Sequence, residues 1–138
     1  MFYTRVTDIQ ASLGLSQLSR YSDFLERRRI ISALYFENIH EDLVRRQYTQ
    51  KKNSIFFRFL LDLPAGKNFE DLELLFEARG IAVRKGVDEL LHRRFGLLDN
   101  QFPNAVQCFN DALSIPILPF LNEDEVQCII DVVNDLLG

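Results

Sequence analysis

Arg5-Val6-Thr7-Asp8-Ile9-Gln10-Ala11-Ser12-Leu13-Gly14-Leu15-Ser16-Gln17-Leu18 reads as the start of a helix with an unusually small face. Thr7 followed by Gln10 is a capping box, in which each side chain satisfies an orphan backbone N–H at the helix start. Ala11, Ser12 and Gly14 then strip bulk from one turn. A glycine inside a helix costs roughly 1 kcal/mol relative to alanine. Close approach of another element would offset that cost, so Ala11, Ser12 and Gly14 are the predicted interface residues. On this expectation Gly14→Leu clashes, at a cost of ~1–3 kcal/mol.

Outward from this stretch, the pattern predicts one helix from Asp8 to about Asn38. Ile9, Leu13, Tyr21, Phe24, Ile31 and Tyr35 form one apolar stripe, and Leu15, Leu18 and Leu25 a second. Two stripes imply two neighbours. Glu26-Arg27-Arg28-Arg29 reads as a solvated helix face, and the polar run from Glu41 to Asn53 as a connecting loop. Ser54 to Leu63 is the clearest strand, with Ile55, Phe57, Phe59, Leu61 and Leu63 on one face. Asn68 with Asp71 caps a helix carrying Leu72, Leu75 and Phe76, and Gly80 closes it. Ile81 to Arg84 is a short strand, and Gly86 to Gln101 is irregular or weakly helical. Pro103 suits the first turn of another helix, and the prolines of Ser114 to Pro119 force an extended chain. Asn122 with Glu125 caps a last helix lined by Val126, Ile129, Ile130, Val133, Leu136 and Leu137. The expected fold is α+β: a long N-terminal helix and a small, mostly antiparallel sheet with helices packed on it. Residues 1–138 form a single domain, and no internal repeat is visible.

Bulk properties narrow the function. An apolar fraction of 47% with 26% charged residues is that of a globular domain. A net charge of −4 argues against a nucleic-acid partner, which favours a basic face. No apolar run approaches the ~20 residues a membrane span needs, and no secretory signal opens the chain. Cys108 and Cys128 lie outside any Cys-x-x-Cys spacing and read as buried or half-buried thiols of a reducing, cytoplasmic compartment. Two histidines and two cysteines at unrelated spacings match no metal-ligand pattern, so no metal is expected.

The opening stretch resembles the signature that begins the C-terminal small domain of the DegT/DnrJ/StrS-type sugar aminotransferases. There it reads Arg, an aliphatic residue, Thr or Ser, an acid, Ile or Leu, Gln-Ala-Ala, then Gly and Gln-Leu. Phe24 to Arg29 is similar to the acidic, double-Arg end of the same helix. A second block, Leu75-Phe76-Glu77-Ala78-Arg79-Gly80-Ile81-Ala82-Val83-Arg84 followed by Leu90-Leu91-His92, resembles the family's Arg-Gly-Ile, strand and Leu-His series. The third block is Phe102-Pro103-Asn104-Ala105, Ala112 to Pro116, then Pro119, Leu121 and Glu125-Val126. It is similar to the family's Phe-Pro-x-Ala, Leu-Ser-Leu-Pro and Leu-Thr-x-Glu-Glu-Val. Order and spacing make the likeness strong, and it spans nearly the whole chain.

The resemblance implies the C-terminal domain of a fold-type I, pyridoxal-phosphate-dependent nucleotide-sugar aminotransferase, which moves an amino group from glutamate to a keto sugar. It also implies that the cofactor-carrying large domain lies outside these residues. The chain alone is then expected to hold no cofactor and to be inactive, paired with a separate large-domain chain or associated as a homodimer. The alternative is a non-catalytic dimerisation or binding module derived from the family. Where family members place an Asn that meets the neighbouring subunit's cofactor phosphate, this chain has Tyr3. Lys51, Lys52, Lys67 and Lys85 match no aldimine-lysine motif. The candidate substrate-binding residues are His92, whose family counterpart lies near the substrate, and Arg84, by bidentate pairing with a diphosphate. Arg93-Arg94 shares that chemistry but reads as solvated surface. His40 reads as a partner for a helix C-terminus.

Overall fold

The capping box at Thr7 forms as expected. Gln10 N donates to Thr7 Oγ1 at 3.3 Å and Thr7 N donates to Gln10 Oε1 at 3.0 Å. In the computed structural model, which describes residues 6–48 and 54–138 and only the backbone of 45–48, this box starts α1 (Asp8–Leu18). The predicted continuous helix is broken. The Ser19 hydroxyl donates to Ser16 O at 2.9 Å, and Arg20 N reaches back only to Gln17 O at 3.2 Å. A serine that binds its own backbone competes with the helical ladder. Arg20, with φ −105° and ψ 3°, steps out of the helix before α2 (Tyr21–Asn38) begins.

The break separates two environments. No residue of α1 is buried: Ile9 is 83% exposed and Leu13 63%. Tyr21 is exposed too, so the predicted stripe is covered only further along α2, where Ile31, Ser32, Tyr35 and Phe36 are buried. Beyond α2 the expected polar loop is instead a helix, α3 (Glu41–Tyr48), whose Leu43 and Val44 are buried. Leu43 and Val44 join the core from this helix. Residues 49–53 of that predicted loop lie outside the described residues.

Strand β1 (Phe59–Asp62) is shorter than predicted. Phe59 and Leu61 are buried as expected, but Ile55 and Phe57 are exposed and Phe56 is buried in their place. Phe56 has φ +46°, a conformation uncommon for a side-chain-bearing residue, and its N–H donates to Ser54 Oγ at 3.0 Å. That kink shifts the alternation by one residue, which exchanges the faces.

Helix α4 (Phe69–Ala78) is capped by Asn68, whose side chain accepts from Asp71 N at 2.9 Å. It ends in a Schellman motif: Gly80 N donates to Glu77 O, Ile81 N to Phe76 O, and Gly80 has φ +77°. Then come β2 (Arg84–Lys85), α5 (Leu91–Arg94), a 3₁₀ turn (Asp99–Gln101) and α6 (Pro103–Asn110), with Pro103 in its first turn. Strand β3 (Ala112–Ile115) follows, and α7 (Glu123–Leu137) closes the chain behind its capping box of Asn122 and Glu125.

The sheet is antiparallel in the order β1-β3-β2, so the last strand in sequence is the middle one. Phe59 pairs with Ile115 and Leu61 with Leu113, all four buried on one face against α2, α4 and α7. Tyr35, Phe36, Phe56 and Phe59 stack edge-to-face there, with Tyr35 and Phe59 centroids 5.0 Å apart. Each such ring buried contributes up to ~3 kcal/mol. The cross-strand row Leu60–Ser114–Arg84 lies on the other face. The α+β class and small antiparallel sheet stand as expected; the single long helix does not.

Candidate functional site

The Glu26–Arg29 run, expected to be solvated, is only half so. Arg29 pairs loosely with Glu26 at 3.5 Å on the surface. Arg27 turns inward, and its Nη2 donates to Leu121 O at 2.7 Å. Arg28 lies three residues before Ile31 and seven before Tyr35, on the buried side of α2, and its Nε is shielded from solvent with no hydrogen-bond partner. Leaving such a donor unsatisfied costs about 1–3 kcal/mol.

Arg28 forms one wall of a groove of about 410 Å³ that also receives Phe57, Arg58, Arg84 and Ser114. Its floor is the apolar run Ile115, Pro116, Ile117 and Leu118. The Arg58 guanidinium is fixed, with Nη1 donating to Lys85 O at 3.0 Å and Nη2 to Asp88 Oδ1 at 3.3 Å. Phe57 stands 70% exposed at the rim, with the Arg28 guanidinium carbon 5.9 Å from its ring centre. Sequence reasoning named Arg84 but missed Arg28, Phe57 and Arg58. The 24-28-31-35 spacing of Phe24, Arg28, Ile31 and Tyr35 was the available signal for Arg28.

His92, the other predicted binding residue, does not join Arg84. It is buried on α5, its ring stacked on Phe102 at 4.6 Å, and its Nε2 lies 2.8 Å from Asp99 Oδ1. Arg93 closes on the same carboxylate, and Arg94 Nε pairs with Glu89 at 2.9 Å. Both arginines are exposed, as expected of a solvated surface, and each carries a neighbouring carboxylate there. His40 sits beyond the end of α2, but its Nδ1 faces the start of α3, 3.4 Å from Asp42 N. Cys108 and Cys128 are both exposed, contrary to expectation, because each falls on the outer side of its helix. A wider cleft of about 540 Å³ beside His40 is lined by Asp42 and Asp62, neither of which is without a partner.

At α1 the predicted interface residues Ala11, Ser12 and Gly14 are all exposed. A Cβ added at Gly14 would meet nothing within 4 Å. The expected clash therefore has no partner among the described residues, where the small face is open. Among the described residues, no cluster of His, Cys, Asp and Glu could hold a metal, and no helix is long and apolar enough to cross a membrane.

The pattern of the DegT/DnrJ/EryC1/StrS aminotransferase family matches residues 2–134. The chain belongs to that family. It is similar to the spore coat polysaccharide biosynthesis protein SpsC of Bacillus subtilis, with 26% identity over 94% of this chain and 36% of that protein. It is also similar to a dTDP-3-amino-3,6-dideoxy-alpha-D-galactopyranose transaminase of Aneurinibacillus thermoaerophilus, 24% identical over 95% of this chain and 36% of that one. The fold matches Helicobacter pylori PseC, an aminotransferase involved in the biosynthesis of pseudoaminic acid. Its TM-score is 0.80 at 19% identity, covering 99% of this chain and 38% of that one. A family aminotransferase from Brucella abortus matches with a TM-score of 0.78 at 21% identity, covering 40% of that chain. The chain thus spans about a third of the length of the curated relatives it matches.

Pyridoxal phosphate, implied by the family, needs a lysine for its aldehyde and an acid for its ring nitrogen. The described lysines do not fit. Lys67 Nζ donates to Leu136 O at 3.1 Å on the surface. Lys85 Nζ is paired with Glu70 at 2.9 Å and lies over the rings of Phe69 and Phe109.

Proposed function

We propose that this chain works as the small domain of a pyridoxal-phosphate-dependent nucleotide-sugar aminotransferase, transferring an amino group from glutamate to a keto sugar. It does so only when docked on a cofactor-bearing large domain. The observation that carries the reading is α1: eleven residues including Ile9, Leu13, Leu15 and Leu18, none of them buried. Exposed apolar surface of this extent marks an interaction site. The occupant we assign is the large domain, because the relatives devote roughly two-thirds of their length to a part this chain does not span. The open face at Ala11, Ser12 and Gly14 then admits a closely packed neighbour. The engaged lysines agree with a division of labour in which the other part supplies the aldimine.

The test is native purification of the tagged protein from its own host, followed by borohydride reduction and peptide mapping. The expected product is a pyridoxyl-lysine on a large-domain peptide in the same complex. Leu13→Asp is expected to lose that complex while the melting curve of the 138-residue chain stays unchanged. A pyridoxyl group on one of this chain's own lysines, or amino transfer by the chain alone, would overturn the reading. A stable dimer of the chain with no pyridoxyl peptide anywhere in the complex would favour the non-catalytic module instead.

A further inference from the structure

β2 has a strand on one side only, whereas α3 packs against β1, the other outer strand. Ile81 N is spent on Phe76 O, so the open edge begins at Ala82 and runs to Lys85. Natural sheets guard such an edge with proline, a bulge or an outward lysine. No proline interrupts residues 81–88, and the one lysine is withdrawn. Lys85 Nζ folds onto Glu70 at 2.9 Å and lies 5.1 Å and 4.8 Å from the ring centres of Phe69 and Phe109. The edge therefore faces a trough of about 510 Å³ that continues into one of about 320 Å³. Helix α4 is the opposite wall and runs counter to the edge: Glu77 and Glu73 flank Ala82 and Val83, and Glu70 flanks Lys85. Glu73 and Glu77 are exposed, and neither carboxylate has a partner among the described residues. Asp88 adds a further acid at the far end.

We propose that the free edge of β2 takes up an extended segment of another protein as a fourth strand, its basic side chains at alternate positions toward α4. In strand addition the main chain supplies affinity and alternate side chains supply specificity. A helix sets residues four apart about 6 Å from each other, and a strand repeats each face about every 7 Å. Glu73 and Glu77 are thus spaced for two basic residues separated by one. The intervening side chains of the added strand lie beside Ala82 and exposed Arg84, where a neutral residue fits and a basic one is repelled. A second copy of this chain is the wrong occupant, because edge-to-edge pairing sets two α4 rows of carboxylates side by side. The net charge of −4 favours a basic partner as well. No residue of α1 lines the trough, so the inference does not rest on the docking reading above.

The test is fluorescence anisotropy of a labelled, end-blocked peptide of alternating lysine and threonine, titrated with the 138-residue chain at low salt. Amide exchange of residues 82–85 is read in parallel. The expected result is saturable binding that salt weakens, with slowed exchange at the edge amides. Alternate N–H groups of a strand face opposite sides. Of two peptides N-methylated at every lysine or at every threonine, one is therefore expected to lose binding and the other to keep it. A peptide of the same composition with its lysines in one block is expected to bind about tenfold more weakly, the scale of two exposed ion pairs. Glu73→Gln combined with Glu77→Gln is expected to weaken the alternating peptide by the same factor. Both residues are exposed, so the double variant keeps the melting curve of the parent and lost binding is not lost fold. No saturable binding at millimolar chain, equal binding of the block peptide, or N-methylation that affects both peptides or neither would each overturn the proposal. Edge amides protected by self-association in the chain alone would assign the edge to a second copy and overturn it too.

Discussion

Arg93 and Asp99 meet fork to carboxylate, Nε to Oδ1 at 2.9 Å and Nη2 to Oδ2 at 2.7 Å, and the same Oδ1 lies 2.8 Å from His92 Nε2. Two neighbours on one four-residue helix thus grip a single acid on the next turn. A helix of that length does not persist by itself. The grip orders α5 and the 3₁₀ turn and fixes the His92 ring between Asp99 and Phe102.

The first prediction concerns acid. The hydrogen bond from Arg93, and after it the one from His92, hold the Asp99 carboxyl well below the usual carboxylate range. A depressed acid binds fewer protons in the folded state than in the unfolded one. Its contribution is complete above the unfolded value of about 3.9 and is lost as pH falls further, through the folded value. Melting midpoints measured downward from about pH 7 to about pH 2 are expected to fall more steeply below about pH 4 in the parent than in Asp99→Asn. Parallel curves would show that the grip adds no pH-dependent stability.

At the alkaline end the sign reverses. Burial pushes the Tyr35 phenol above its ordinary value, and its O–H donates to Pro116 O at 2.7 Å. The stability this group adds is present below about pH 10 and is lost as pH rises through the folded value. Tyr35→Phe is expected to cost about 1 kcal/mol at neutral pH and to flatten the alkaline decline. Denaturant midpoints at about pH 7 and about pH 10.5 check both statements.

How much was legible beforehand divides by the range of the interaction. Caps are local, so Thr7–Gln10, Asn68–Asp71, Gly80, Pro103 and Asn122–Glu125 all stood in the sequence as they stand in the fold. The break at Ser19 and the kink at Phe56 were missed, because the apolar spacing runs through both while a single serine hydroxyl redirects the chain at each. The arginine groove was half visible. Arg84 announces itself on a strand, but nothing in the order of residues says that Arg28 and Phe57 end beside it. Those three come from elements joined only by tertiary packing.

Gly14 offers a third prediction. With nothing within 4 Å of an added Cβ, Gly14→Ala gains helix propensity of up to ~1 kcal/mol without strain. Because α1 buries no residue, that gain stays local. It is expected as about fivefold slower amide exchange in α1, with the global melting midpoint unchanged. Gly14→Leu is expected to be equally harmless in the chain alone. A fall in midpoint for either variant would reveal a neighbour on that face.

The last helix gives a fourth. Asn122 Oδ1 accepts from Glu125 N at 2.9 Å, and Glu125 Oε2 accepts from Asn122 N at 2.8 Å, at the head of the helix that buries Val126, Ile129, Ile130 and Val133. Asn122→Ala is expected to cost about 1 kcal/mol, and Asn122→Gly only a few tenths. Unlike the change at Gly14, this one acts on a helix embedded in the core and is expected to lower the global midpoint by ~2–8 °C in a thermal melt.

The central place of β3 also dictates when the domain can exist during synthesis. Both outer strands, β1 and β2, take their hydrogen bonds from residues 112–115. As the chain leaves the ribosome, everything up to Asp111 therefore waits with two unpaired strand edges and an uncovered aromatic cluster. The sheet is expected to close only once β3 arrives. A fragment ending at Asn110 is expected to show helix signal without cooperative unfolding. Its exposed edges make it a substrate for chaperones rather than a smaller version of the protein.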